Sequence, residues 1–466
     1  LLTDPARQIW NSFNNRANAG SADAPEAAVN GCLYDRFKSL YTKTATKPSL
    51  VIVPARFKSG TLYSQIPSSN ADFTVTRDTT ARRFTSAGLI ASVASGIPRL
   101  DYYTSGGVTG CPALLVEPAG TNLCLQSENL DIFPWNPTNT AVTVNVAGTT
   151  DPAGGNTADQ IFETAASGSH FLAQTMTIVS GTTYVGSIFY KKATGSPDWM
   201  QVAFSTTGLA GFANFNLTSG TVGLTGAGCT GRIENYGNGW YRCTLIQTAN
   251  ANGTSGGPVI VFTNNTNSIT RFVSYTGNTA TSIYAWGAQL ETGSVATSYI
   301  PTTAGTGSRS ADVISVSGAV SGSIGQTEGT IYLEMQADSA GTGANFLIIG
   351  DGVNADDFVY LGKNGANLQA VVRSNNSSVV SFTQALTGNA IKAAIAYKGG
   401  DSALYVNGSF VASGSTAFTF SSLLPSIGLG LSSFAFAAPT AINRYRAAAL
   451  YNTRLTNAEL ALITQP

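Results

Sequence analysis

The sequence predicts a mainly β protein: a small N-terminal helical hairpin, an extended β adapter, and then two β-sandwich (jelly-roll) domains. Three observations point there. Charged residues make up only 11% of the chain against 43% hydrophobic, enough apolar material to bury cores without the charge of a helical enzyme. Glycine is abundant (50 residues), and Ser, Thr, Asn and Gly punctuate short apolar runs, as strands joined by tight turns require. Strong helical spacing of apolar residues is confined to the start of the chain. At 466 residues the chain exceeds one ordinary core. Four segments follow: 1–46 as a helical hairpin for attachment or oligomerisation, 47–124 as the extended β adapter, 125–304 as a jelly roll, and 305–466 as a second sandwich.

In the first segment Asp4 supplies an N-cap and Pro5 the first helical position, with Ala6, Ile9, Trp10 and Phe13 on one face. Gly20 and Ser21 break that helix. Asp23, Pro25 and Glu26 then start a second one, with Val29, Leu33, Phe37 and Leu40 as its apolar stripe. A hairpin this small is not secure alone, so it is expected to dock or oligomerise, with Trp10 in its core.

The adapter reads as short β pieces. Residues 50–53 precede Pro54, and residues 72–77 alternate with period two. The pieces 97–102 and 111–118 are punctuated by proline, which cannot donate to a ladder, so edge or linker strands wrapping another body are expected. From 125 to 310 the pattern is all strand. Tyr284, Trp286, Ala288 and Leu290 are expected to share one face, putting Trp286 in a core. After Gly239, Tyr241, Cys243 and Leu245 form one face and Trp240, Arg242 and Thr244 the other, charged one, which predicts a solvent-facing Trp240. The stretch 302–308 is the cleanest linker signal. Beyond it, Asn407-Gly408 marks a hairpin, and Thr456 with Glu459 forms a capping box for a final short helix with Leu460 and Ile463 inward.

Composition also excludes. The 25 Lys and Arg balance 25 Asp and Glu, so nothing suggests electrostatic capture of nucleic acid or of an anionic membrane. No apolar run is long enough to span a bilayer, and no signal peptide is visible. Five scattered cysteines without a C-x-x-C pair are read as free thiols, with a Cys229–Cys243 bridge as the alternative. The single histidine, His170, lacks a nucleophile motif and is read as structural or surface-exposed, which excludes triad chemistry and leaves the catalytic set empty.

Several phrases together resemble modules of bacteriophage tail and head fibre proteins. Residues 59–102 (SGTLYSQIPSS…GIPRLDY) lead into 111–130 (CPALLVEPAGTNLCLQSENL), and 237–245 (GNGWYRCTL) and 284–312 (YAWGAQLETGS…SRSAD) complete the set. The resemblance implies a carbohydrate-binding-module-like jelly roll between the last two phrases. The C-terminal segment resembles a laminin-G or concanavalin-like domain. Implied with these is a virion protein assembled in the host cytoplasm and displayed extracellularly: a fibre or decoration subunit anchored by its N-terminal part to other virion proteins. Such fibres are homo-oligomers, usually trimers, and their lectin-like domains adhere to host-surface glycan. The alternatives are a tail polysaccharide depolymerase working through a carboxylate pair, and a spacer without a ligand.

Sugar recognition needs an exposed aromatic beside hydrogen-bonding groups, which selects Trp240 with Arg242, and Trp199 beside Asp198 and Gln201, against a reading in which each covers a sandwich edge. No cofactor is expected. Calcium is the one ion with hard oxygen ligands at close spacing, from Asp351, Asn354, Asp356 and Asp357, and a solvated acidic turn is the competing reading.

Overall fold

A computed structural model describes residues 4–19, 30–66, 71–104, 107–205, 208–254, 257–318, 320–337, 344–352, 355–431 and 437–466. It is mainly β, with four large antiparallel sheets and three α-helices among the described residues. None of these helices is long and apolar enough to cross a membrane.

The middle of the chain is a sandwich of two six-stranded sheets. One runs Trp135–Thr138, Phe171–Gln174, Val259–Phe262, Trp199–Ala203, Phe212–Asn216, Thr221–Thr225. The other runs Thr140–Thr143, Asp159–Glu163, Ser282–Thr292, Thr183–Lys192, Trp240–Thr248, Cys229–Asn235. Their facing side chains, among them Ile188, Met200, Phe215, Leu245, Ile260 and Leu290, form one buried core. Trp286 is buried, but not on the face expected for it. A bulge opposite Ser187 and Phe189, with Gly287 at φ 63°, breaks the alternation. Ala288 and Leu290 therefore point into the sandwich, while Trp286 joins Phe189 and Tyr299 on the opposite side.

The second body pairs an eight-stranded with a nine-stranded sheet. The proline-punctuated pieces are built into it. Leu50–Ile52 pairs with Asn443–Tyr451, and Phe73–Thr76 pairs with Val313–Ser317. Arg99–Thr104 is an edge strand of the eight-stranded sheet, whereas Gly107–Val116 lies between it and Asn443–Tyr451. Pro112 is tolerated in that inner strand because it falls at a register shift, where its missing N–H costs no regular ladder bond. The stretch expected as a free linker is tied down as well: Thr302 is buried and donates to the Cys124 carbonyl at 2.6 Å, and Gly307–Arg309 pairs with Gly120–Asn122.

The outer face of the eight-stranded sheet is covered by helices. Helix α1 (Pro5–Ala19) is capped by Asp4, which accepts from the Ala6 amide at 3.1 Å. Helix α2 spans Asn30–Thr42, and the start expected for it at Asp23 to Glu26 lies outside the described residues. Trp10, Phe13, Leu33, Phe37 and Leu40 pack with Leu460 and Ile463 of α3 (Asn457–Thr464) over Ala394, Ala396, Ala447, Ala449 and Tyr451 of the sheet. The alanines leave room for the helices to approach closely. The capping box of Thr456 and Glu459 forms as expected. So does the Asn407-Gly408 turn, with positive φ at both residues joining Ser402–Val406 to Ser409–Gly414.

The cysteine reading is corrected here. Cys32 of α2 and Cys111 of the sheet form a disulfide across 79 residues of sequence, while Cys124, Cys229 and Cys243 are free. Cys229 lies opposite Gln247 and Cys243 opposite Ile233, so the alternative bridge is out of register.

Candidate functional site

Of the residues that the sequence nominated for sugar contact, Trp240 and Arg242 are not at the surface. The expected division of faces is right, but the charged face is itself covered. Phe84, Ile90 and Tyr103 from the adapter pack over it, leaving Trp240 1% and Arg242 2% exposed. The Trp240 indole donates to the Thr150 carbonyl at 2.9 Å. Arg242 donates to Ser187 Oγ at 2.9 Å and to the Thr297 carbonyl at 2.7 Å. Both serve the junction of the two bodies.

Trp199, Asp198 and Gln201 lie together on the first sheet of the middle sandwich. Trp199 is half-buried over Gly223, where a Cβ would stand 2.4 Å from the indole. Asp198 is held by Lys192 and Thr218, whose hydrogen bonds pull its carboxyl below the usual range. Gln201 is fully buried and donates to Asn214 at 2.9 Å, so its amide is committed inside the protein.

In the acidic loop, as elsewhere among the described residues, no three His, Cys, Asp or Glu side chains are grouped as metal ligands. Asn354 lies outside the described residues. Asp357 is turned inward and accepts from the amides of Asn375 (3.0 Å), Ser421 (2.9 Å) and Ser422 (2.9 Å). Burial raises its carboxyl, but the Ser421 hydroxyl and these amides more than offset that and hold it below the usual range. Its oxygens are thus satisfied by the protein. His170 is buried against Tyr275 with Nε2 3.2 Å from the Thr164 carbonyl oxygen, a structural position.

The quoted phrases converge on one buried ionic cluster. Arg77 and Arg99 come from the first, Glu117 from the second, and Arg309 and Asp312 from the last. Arg77 meets Asp312 at 2.9 Å, Arg99 bridges Glu117 (2.6 Å) and Asp312, and Arg309 lies 3.5 Å from Glu117. Burial pushes the Glu117 carboxyl up, but the Arg99 and Arg309 guanidiniums override this and hold it far below the usual range. An adjoining cavity of about 40 Å³, reached by Glu234 and Arg242 from one body and Arg444 from the other, is too small for a sugar. This is joinery, not a reaction centre.

An open concavity lies elsewhere, and sequence reasoning missed it. A groove of about 810 Å³ runs along the edge of the second body, beside the Asn407-Gly408 hairpin. Its wall carries Phe410, 54% exposed, whose ring stands edge-on to Tyr405 at 5.5 Å between centroids. Around it lie the amides of Gln336, Gln384, Asn389 and Asn407 and the guanidinium of Arg446. Asn407 is fixed in place, its Oδ1 accepting from the Lys392 amide at 2.9 Å. Arg446 is the extra residue of a bulge opposite Glu334 and Met335, a distortion that re-aims a side chain. The hairpin itself was legible from Asn-Gly, and Phe410 two residues later was the available signal.

No family model matches the chain, and no curated protein matches it. Among solved structures, the Ruminococcus gnavus IT-sialidase CBM40 bound to α2,3-sialyllactose is similar at 18% identity and a TM-score of 0.27, over 30% of this chain and 84% of that one. The receptor-binding domain of botulinum neurotoxin C/D mosaic serotype is similar at 13% identity and a TM-score of 0.28, over 33% and 40% of the respective chains. The NanB sialidase from Streptococcus pneumoniae is similar at 13% identity and a TM-score of 0.27, over 32% and 26%.

Proposed function

We propose that the chain is a non-catalytic, lectin-like adhesion subunit that holds glycan in the groove beside Phe410. The observation that carries this reading is an exposed aromatic ring set in an open groove among amide and guanidinium groups. A sugar ring offers an apolar face to stack and hydroxyls to bond, and such a wall meets both needs. The described lining has no Asp or Glu, which favours holding a saccharide over cleaving it through a carboxylate pair. A glycan array probed with the full chain and with Phe410→Ala tests this. Binding that the substitution abolishes is the expected result, and binding indifferent to Phe410 overturns the assignment.

The setting we propose is a bacteriophage particle, with the chain as a homo-oligomeric fibre or decoration subunit, a trimer. Support comes from the phrases between residues 59 and 312 that resemble fibre modules. Cryo-electron microscopy of purified particles would reveal location and copy number together. Particles without this chain, or a monomer in solution at micromolar concentration, would count against it.

A further inference from the structure

We infer that the groove selects carboxylate-bearing saccharides, Arg446 pairing with the sugar carboxylate while Phe410 stacks on the ring; this rests on the glycan-binding reading of the same groove. Across the whole chain cations and anions balance at 25 each, whereas at this end of the eight-stranded sheet several cations gather near the single carboxylate of Glu334. Glu334 stands directly opposite Lys392 on the neighbouring strand and 3.9 Å from Arg446. The same carboxylate is the attractive partner of Arg36 and Lys43 from helix α2 and the segment that follows it. One carboxylate therefore pairs with Arg446, attracts Arg36 and Lys43, and stands across from Lys392.

The cations feel one another. Burial lowers Arg36 to about 10, and repulsion from Arg446 adds to the fall. Burial also lowers Lys43, with Lys392 adding to it. Glu334, the carboxylate that pairs with Arg446, is thus also the carboxylate that attracts Arg36 and Lys43. Arg446 is the member of the set that lines the groove, its side chain 28% exposed and its pairing with Glu334 long. A guanidinium binds a carboxylate through two parallel hydrogen bonds, a geometry that a neutral sugar hydroxyl cannot match. An acidic sugar thus gains a partner here that a neutral one lacks.

The experiment measures affinities of the full chain for sialyllactose and oligogalacturonate as acidic probes, and for lactose and maltotriose as neutral ones. Wild type, Arg446→Gln and Phe410→Ala are compared at low and moderate salt. Expected is a preference for an acidic probe that weakens as salt rises and falls at least tenfold in Arg446→Gln, which weakens acidic binding more than neutral binding. Neutral probes bound as tightly as acidic ones, with Arg446→Gln indistinguishable from wild type, overturn the acidic selectivity and leave the groove assignment standing. Binding insensitive to Phe410→Ala, or binding of none of the four probes, overturns both.

Discussion

Arg99 and Asp312, 213 residues apart in the chain, form a fully buried ion pair that Glu117 and Arg77 extend on either side. The pair joins the adapter to the segment that links the two sandwiches. Removing one partner leaves a buried charge without compensation. Arg99→Ala is therefore expected to destabilise the protein by about 3–5 kcal/mol. Equilibrium denaturation by urea measures this, and a loss below about 1 kcal/mol would show that the cluster does not hold the junction.

The same cluster sets an acid limit. Glu117 is held below its ordinary 4.5, so the stability it contributes is complete above that value and drains away as pH falls below it. Denaturation midpoints measured from pH 6 down to about pH 2 should decline, and the decline should be shallower in Glu117→Gln, a less stable protein throughout.

Asp159 works in the opposite direction. Burial raises its carboxyl from 3.8 to about 6, although the Leu130 and Asn145 amides at 2.7 and 3.0 Å partly oppose this. Its contribution is present below pH about 4 and is lost as pH climbs through about 6. Comparing wild type with Asp159→Asn, the slope of stability against pH between those values should differ, with wild type falling relative to the variant. Parallel slopes would contradict a raised Asp159.

The two aromatic residues at issue should behave differently on truncation. Trp240→Ala empties a buried position and is expected to cost about 3–5 kcal/mol. Phe410→Ala, at an exposed position, should change stability by less than about 0.5 kcal/mol while abolishing glycan binding. Thermal unfolding alongside the glycan array separates these outcomes.

The Cys32–Cys111 bridge closes a long loop, so reducing it should lower stability by about 2–4 kcal/mol and loosen the helical layer first. Hydrogen exchange across α1 and α2, with and without reductant, reads this directly. Thiol titration of the unfolded, unreduced chain should find three reactive groups, corresponding to Cys124, Cys229 and Cys243.

What the sequence made legible was local. The Asp4 cap, the Asn407-Gly408 turn, the Thr456 capping box and the alternation through Trp240 each depend on residues a few positions apart, and each is present. Alternation separates two faces of a strand but does not say what covers each, which is why Trp240 looked exposed. Trp286 was displaced by a bulge at Gly287, and Arg446 was aimed by another, and a bulge shifts every later residue by one position. The Cys32–Cys111 pairing and the groove depend on packing between segments far apart in the chain, for which single-chain spacing carries no signal. The large ionic cluster was hidden for the same reason, though its members stood in the very phrases that suggested a family.

The position of Asn443–Tyr451 between strands from both ends of the chain has a consequence for synthesis. Leu50–Ile52 and Gly107–Val116 both pair with it, and the helices rest on the alanine face it helps to make. A ribosome delivers those early segments long before their partner exists. The middle sandwich, whose strands all lie between residues 135 and 292, can close first, while the opening hundred residues wait for the last thirty. A premature stop near residue 440 would leave the N-terminal layer without the central strand of the sheet it rests on.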